Sequence, residues 1–100
     1  MAYIRDSKHR AKLKSAAMLL TPALQIGKNA LTPEFIEAVS ENIIKHELIK
    51  LSILNNCDDD PRTLAETIAE RTRSEVVQII GHRIVLYKPA RDPKDRKYEP

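Results

Sequence analysis

Ala23-Leu24-Gln25-Ile26-Gly27-Lys28-Asn29-Ala30-Leu31-Thr32-Pro33-Glu34 reads as a strand, a loop and the start of a helix in one short stretch. The apolar run from Ala23 to Ile26 has the length of a short strand. Thr32 is an N-cap, Pro33 stands at the first helical position where no N–H is needed, and Glu34 sits near the positive end of the helix dipole. Between them, Gly27 lets backbone approach a ligand without an intervening Cβ. Lys28 adds a cationic tip, and the helix N-terminus behind it presents unpaired N–H groups to anions. Gly27, Lys28, Asn29 and Ala30 are thus the parts of a loop that holds a phosphate backbone, although Gly-Lys-Asn is also ordinary turn chemistry.

Upstream of this loop, Asp6 or Ser7 caps a first helix running to about Met18, with Leu13, Ala16, Ala17 and Leu20 on one arc. Thr21-Pro22 ends it. Downstream, Phe35, Ile36, Val39, Ile43 and Ile44 recur at helical spacing to about His46. Leu48 to Leu54 alternates, with Ile49, Leu51 and Ile53 facing one way and Lys50 and Ser52 the other, as in a half-buried strand. Asp60-Pro61 opens a third helix with the stripe Leu64, Ala65, Ile68, Ala69 and Thr72. Glu75 to Ile80 and Arg83 to Tyr87 form a hairpin around Gly81-His82.

The order α-β-α-β-α-β-β implies an α/β fold: a four-stranded mixed sheet backed by helices. Strands joined through helices run parallel, and the last two pair antiparallel. The presumed outer face collects Val76, Ile80, Val85 and Tyr87, which is apolar for a surface left in water. Residues 1–88 make one domain, and residues 89–100, rich in charge and proline, form a tail expected to be loose.

A net charge of +3 conceals a block pattern. Residues 1–30 carry six basic groups against Asp6, residues 31–80 carry five basic and ten acidic groups, and residues 81–100 carry six basic and three acidic groups. Such a chain folds into a polarised surface, the footprint of a polyanion binder, or into an evenly solvated one. The longest apolar run, Ala16 to Leu20, is far short of a membrane span, and Met1 to Arg10 has no signal-peptide core. The single cysteine, Cys57, forms no internal disulfide, and the aspartates 58–60 after it discourage thiolate chemistry while suiting a helix cap. His9, His46 and His82 have no ligand-like spacing, so neither metal nor cofactor is expected. No nucleophile–base pair, Walker loop or acid dyad points to an enzyme. A soluble cytoplasmic protein is the expectation.

The strand–Gly-Lys-Asn-x–Leu-Thr–helix segment, His46-Glu47-Leu48-Ile49-Lys50, and Val77-Gln78-Ile79-Ile80-Gly81-His82 through Val85-Leu86-Tyr87 occur in the order found in one family. Over roughly residues 7–88 the chain resembles the YhbY-like, or CRM-domain, family (chloroplast RNA splicing and ribosome maturation). The resemblance implies a fold similar to the C-terminal domain of translation initiation factor 3. It also implies RNA binding, with bacterial single-domain members acting on ribosomal RNA of the large-subunit precursor and multi-domain plant relatives assisting intron splicing.

Gly27, Lys28 and Asn29 match the family's Gly-x-x-Gly loop, and Ala30 stands where its second glycine is usual. Lys8, Arg10, Leu13 and Lys14 match the first helix, whereas Met18 and Thr21 replace a common histidine and lysine. Arg73 replaces a frequent glycine after the third helix. At 100° per residue, Lys8 and Lys12 lie on one flank of the apolar stripe, and Arg10 and Lys14 on the other. Matching positions favour Arg10 and Lys14 as the row touching phosphate, with Lys8 and Lys12 secondary. Tyr87 suits packing more than base stacking, and Tyr3 and Tyr98 fall in expected tails.

The implied function is a non-catalytic RNA-binding protein of large-subunit assembly, with ribosomal RNA and ribosomal proteins as partners and no membrane. A sequence-tolerant DNA-binding protein and a ribosome-docking module that uses its acidic helices are the alternatives.

Overall fold

The computed structural model describes residues 2–28 and 31–100. Its elements run α1 (Ser7–Met18), β1 (Leu24–Ile26), α2 (Pro33–His46), β2 (Leu48–Ile53), α3 (Pro61–Thr72), β3 (Glu75–Ile80) and β4 (Arg83–Tyr87), then a 3-10 turn over Pro93–Asp95. The strands form one mixed sheet in the order β1-β2-β4-β3. β1 lies parallel to β2, and β4 lies antiparallel to both β2 and β3. No described helix is long and apolar enough to cross a membrane.

The local signals act as their chemistry requires. Asp6 accepts from the His9 N–H at 2.8 Å, Thr32 Oγ1 from the Phe35 N–H at 3.1 Å, and Asp60 from the Thr63 N–H at 3.1 Å, so each helix starts on a side-chain cap. Gly81 takes φ 52° at the first position of the β3–β4 turn, where a glycine is cheapest. The α3 stripe is buried as its spacing requires. Ile44 is the exception on α2: it sits roughly 100° around the helix beyond Ile43 and is 64% exposed.

Two apolar clusters occupy opposite faces of the sheet. On one, Val39 and Ile43 of α2 and Leu64, Ala65 and Ile68 of α3 pack on Ile26, Ile49, Leu51, Ile53, Ile84 and Leu86. On the other, Leu13 and Ala17 of α1 pack on Leu48, Val77, Val85 and Tyr87. The outer face is therefore covered, and β2 is buried on both sides rather than one. A bulge between Val76 and Gln78 shifts the alternation of β3. It sends Val76 toward α3 and Val77 toward α1, whereas strict alternation would put Val76 outside.

The segments at either end complete the outer layer. Tyr3, Ile4 and Tyr98 pack against the α1 cluster. Residues 89–100, expected to be loose, instead lie against the domain. The buried Glu47 carboxylate accepts the N–H groups of Ala90 at 2.9 Å and Lys97 at 2.8 Å. Glu47 itself has φ 65° and ψ −41°, a γ-turn-like conformation rare outside glycine, held by its N–H to Ile43 and its carbonyl from Lys88. His9 is also buried: its Nδ1 accepts the Arg5 N–H, its Nε2–H donates to the Tyr98 carbonyl at 2.8 Å, and its ring meets Tyr87 edge-on at 5.5 Å.

Two stability predictions follow from this packing. Arg73 caps α3 in the left-handed region, φ 56° and ψ 43°, with the Ser74 N–H on the Ala69 carbonyl. Arg73→Gly should therefore raise the unfolding free energy by about 1 kcal/mol in urea denaturation, and a loss of stability would contradict this strain. Burial first, then the carboxylates of Glu99 and Glu47, push the Tyr87 phenol from 10.0 up to about 12. Its contribution is intact below pH 10 and lost as pH rises toward 12, because only the unfolded chain releases the proton in that window. Tyr87→Phe should remove that part of the alkaline decline, and urea midpoints at pH 8 and pH 11 measure it.

Candidate nucleic-acid interface

The sheet sorts charge as well as apolar surface. α1 carries Lys8, Arg10, Lys12 and Lys14 and no carboxylate, while α2 on the opposite face carries Glu34, Glu37 and Glu41 against Lys45. The block pattern of the chain thereby becomes a basic layer and an acidic layer.

The candidate residues do not share one fate. Lys28 is exposed in the turn after β1 and forms no ion pair among the described residues. Asn29 and Ala30 lie outside those residues. Gly27 is half-buried, and a Cβ there would meet Leu54 Cδ1 at 3.8 Å and Asn56 Oδ1 at 3.9 Å, ordinary contacts. Internal packing therefore does not require a glycine at this position. The α2 N-terminus offers anions less than its sequence implies: Pro33 has no N–H and the Phe35 N–H is held by Thr32, so at most the Thr32 and Glu34 amides are left.

On α1 the two flanks separate as helical geometry requires. Arg10 faces β3: its Nη1 donates to the Val76 and Val77 carbonyls at the bulge, and its Nη2 lies 3.8 Å from Glu75. This guanidinium is a tie between helix and edge strand before it is anything else. Lys12, on the other flank, donates to the Glu99 carbonyl of the C-terminal segment. Lys8 and Lys14 are exposed and form no ion pair among the described residues. Lys14 is one turn beyond Arg10 on the same flank, over the β3 side. β1 and β3 are opposite edges of the sheet, so Lys28 and Lys14 are separated by three strand spacings, about 14 Å.

Two cations not singled out as site residues fill the interval. Lys50 of β2 and Arg83 of β4 line a cleft on the α1 face together with Met18, Gln78 and Ile80. Arg83 also donates to Ser52 Oγ at 2.9 Å. Lys28 after β1, Lys50 of β2 and Arg83 of β4 follow one another in strand order toward the hairpin end of the sheet, with Lys14 of α1 on the β3 side. Met18, Leu19 and Ile80 stand exposed beside them, at 77%, 89% and 59%. The alternation of β2 already placed Lys50 on this face; only the position of α1 gives that placement meaning. Of the three aspartates that follow β2, Asp60 caps α3 on the other side.

Comparison with known proteins gives a consistent picture. The model of the CRS1 / YhbY (CRM) domain matches residues 6–88. The chain is 40% identical over 87 residues to the probable RNA-binding protein YqeI of Bacillus subtilis, covering 87% of this chain and 91% of that one. It is 31% identical over 89 residues to an RNA-binding protein of Haemophilus influenzae, covering 89% and 90% respectively. The solution structure of the hypothetical protein SAV1595 from Staphylococcus aureus superposes with a TM-score of 0.76 at 37% identity, covering 94% of this chain and 98% of that one.

The unequal roles of the basic residues are measurable without any ligand. Arg10→Ala should cost about 1–2 kcal/mol of stability in urea denaturation, because two β3 carbonyls lose a charged donor. Lys28→Ala should leave the midpoint unchanged within about 0.5 kcal/mol. Equal effects would contradict the division of labour.

Proposed function

The chain belongs to the CRS1 / YhbY (CRM) domain family, and from that premise we propose that it is a non-catalytic RNA-binding protein acting on ribosomal RNA of the large-subunit precursor. The observation that carries the RNA contact is Lys28, exposed and without an ion pair among the described residues, beside a glycine that internal packing does not need. The backbone at Gly27 approaches a phosphate, Lys28 neutralises it, and Lys50, Arg83 and Lys14 continue the track. Asn29 and Ala30 belong to the same proposed loop. Lys8 and Lys12 extend the basic layer along α1, while Arg10 contributes mainly by fixing that helix in place. The names of the relatives support RNA as the partner. The ribosomal setting, with ribosomal proteins as further neighbours, rests on resemblance to single-domain bacterial members of the family.

Phosphate contacts fix position and carry little sequence information, so selectivity comes from RNA shape or a protein neighbour. With about three to five phosphates neutralised, log K should fall with log salt at a slope of about −2 to −4. Gly27→Ala and Lys28→Glu should both fold normally and weaken binding of a structured RNA, the second with a shallower slope. A slope near zero for the native protein, or full binding by both variants, would contradict the proposed track. In-cell crosslinking and sequencing should enrich large-subunit precursor RNA; a flat transcript profile would contradict the ribosomal assignment.

A further inference from the structure

At the end of the sheet away from Lys28, the left-handed cap of α3 and the segment after β4 enclose a cleft of about 370 Å³ lined by Tyr3, Arg73, Lys88, Ala90, Arg91 and Arg96, with no carboxylate in its wall. Two of the four cations have structural work. Lys88 Nζ donates to the Thr72 carbonyl at 3.2 Å, at the negative end of α3. Arg96 holds the tail turn through the Ala90 carbonyl at 2.6 Å and Glu99 at 3.0 Å. Arg73 and Arg91 are exposed and form no ion pair or side-chain hydrogen bond among the described residues. Of the carboxylates on neighbouring segments, Glu47 is held by the Ala90 and Lys97 amides, Glu75 by Tyr3, Ile4 and Arg10, Glu99 by Arg5 and Arg96, and Asp92 by Lys94, while Asp95 lines an adjoining cleft with Lys88 and Arg91. Glu70, one turn before Arg73, forms no ion pair with it.

The geometry points to a second phosphate-binding site in this cleft, filled by backbone phosphates of an RNA segment and separate from the Gly27 loop. It rests on the reading of the protein as an RNA binder and adds a second point of contact. Three independent features support it. Arg73, Lys88, Arg91 and Arg96 line one cleft with no carboxylate among its described lining residues, Arg73 and Arg91 form no ion pair among the described residues, and guanidinium forks match phosphate oxygens in pairs. Arg73 occupies a left-handed backbone position where glycine would be less strained, and strain kept at a charged, exposed residue is the pattern expected of a functional contact. The buried Glu47 clamp holds the very segment that carries Arg91 and Arg96, so the cleft is preorganised rather than assembled from a loose tail. The Glu75–Tyr87 pair marks this end of the sheet and the Ile80–Arg83 pair the other, so the two sites are about 17–20 Å apart along the strands. One nucleotide cannot span that distance; a longer RNA segment can touch both.

The test uses Arg73→Gly/Arg91→Gln in the full chain, because relief of the left-handed cap keeps the variant at least as stable as the native protein in urea. Binding of a hairpin RNA with single-stranded flanks is measured across a salt series, with Lys28→Glu run in parallel. Two lost phosphate contacts should make the slope of log K against log salt shallower by about 1.4–1.8. An unchanged slope and affinity, with Lys28→Glu still weakening binding, overturns this site and leaves the proposed function standing. Failure of the native protein to bind RNA overturns both. A parallel titration with inorganic pyrophosphate follows the backbone amides of residues 88–96 by NMR. RNA that shifts these amides supports the inference; shifts with pyrophosphate but none with RNA assign the cleft to a free oligophosphate and overturn the RNA occupant.

Discussion

The structure turns on the seating of a basic helix on an apolar sheet face. β2 and β4 present hydrophobic side chains on both sides and the β3 bulge adds Val77, so a single layer of helices would leave Leu48, Val77, Val85 and Tyr87 in water. Leu13 and Ala17 of α1 bury that surface, and removal of a fully buried leucine such as Leu13 ordinarily costs about 2–5 kcal/mol. Arg10 sets the angle of the helix by donating to two carbonyls at the β3 bulge, which also blunts an exposed sheet edge. Because α2 and α3 already fill the opposite face, the only position left for the positively charged helix is across the sheet from the acidic α2 and the charge-balanced α3. Charge polarity, and with it the proposed RNA face, is a by-product of covering both sides.

The same outer layer explains why the chain does not end at β4. α1 alone leaves the His9 and Tyr87 rings short of cover. Tyr98 closes that gap, and its carbonyl accepts the His9 Nε2–H hydrogen bond. The segment is held by a buried carboxylate at a strained backbone position, Glu47, whose two oxygens each accept a backbone N–H. Such a bond to an ionised acceptor is stronger than a neutral one, which offsets both burial and strain. The tail thereby becomes part of the fold and brings its arginines to a fixed place.

Much of this was legible in the sequence because it depends on neighbours along the chain. Asp6, Thr32 and Asp60 cap helices, Pro33 and Pro61 sit where proline costs nothing, and the stripe Leu64-Ala65-Ile68-Ala69-Thr72 faces inward, all by local rules. The four-stranded mixed sheet followed from element order. What escaped depends on residues far apart. Nothing near Val77 announces a bulge, so Val76 was assigned to the wrong face. Nothing in a run of charge and proline announces that Glu47 awaits Ala90 and Lys97. Arg10 matched a family position, yet its guanidinium is tied to β3, while Lys50 and Arg83 gained importance only once α1 and the strand order placed them beside Lys14 and Lys28.

The central claim is that the primary RNA contact lies along the α1 side and hairpin end of the sheet, away from the outer faces of α2 and α3. NMR cross-saturation from the ribose protons of a bound RNA into the amides of the deuterated protein tests it directly. The account predicts transfer into Gly27, Lys28, Lys14, Lys50 and Arg83, with little into the exposed faces of α2 and α3. Transfer concentrated on Glu34 to Glu41 and Glu66 to Glu70 would contradict it.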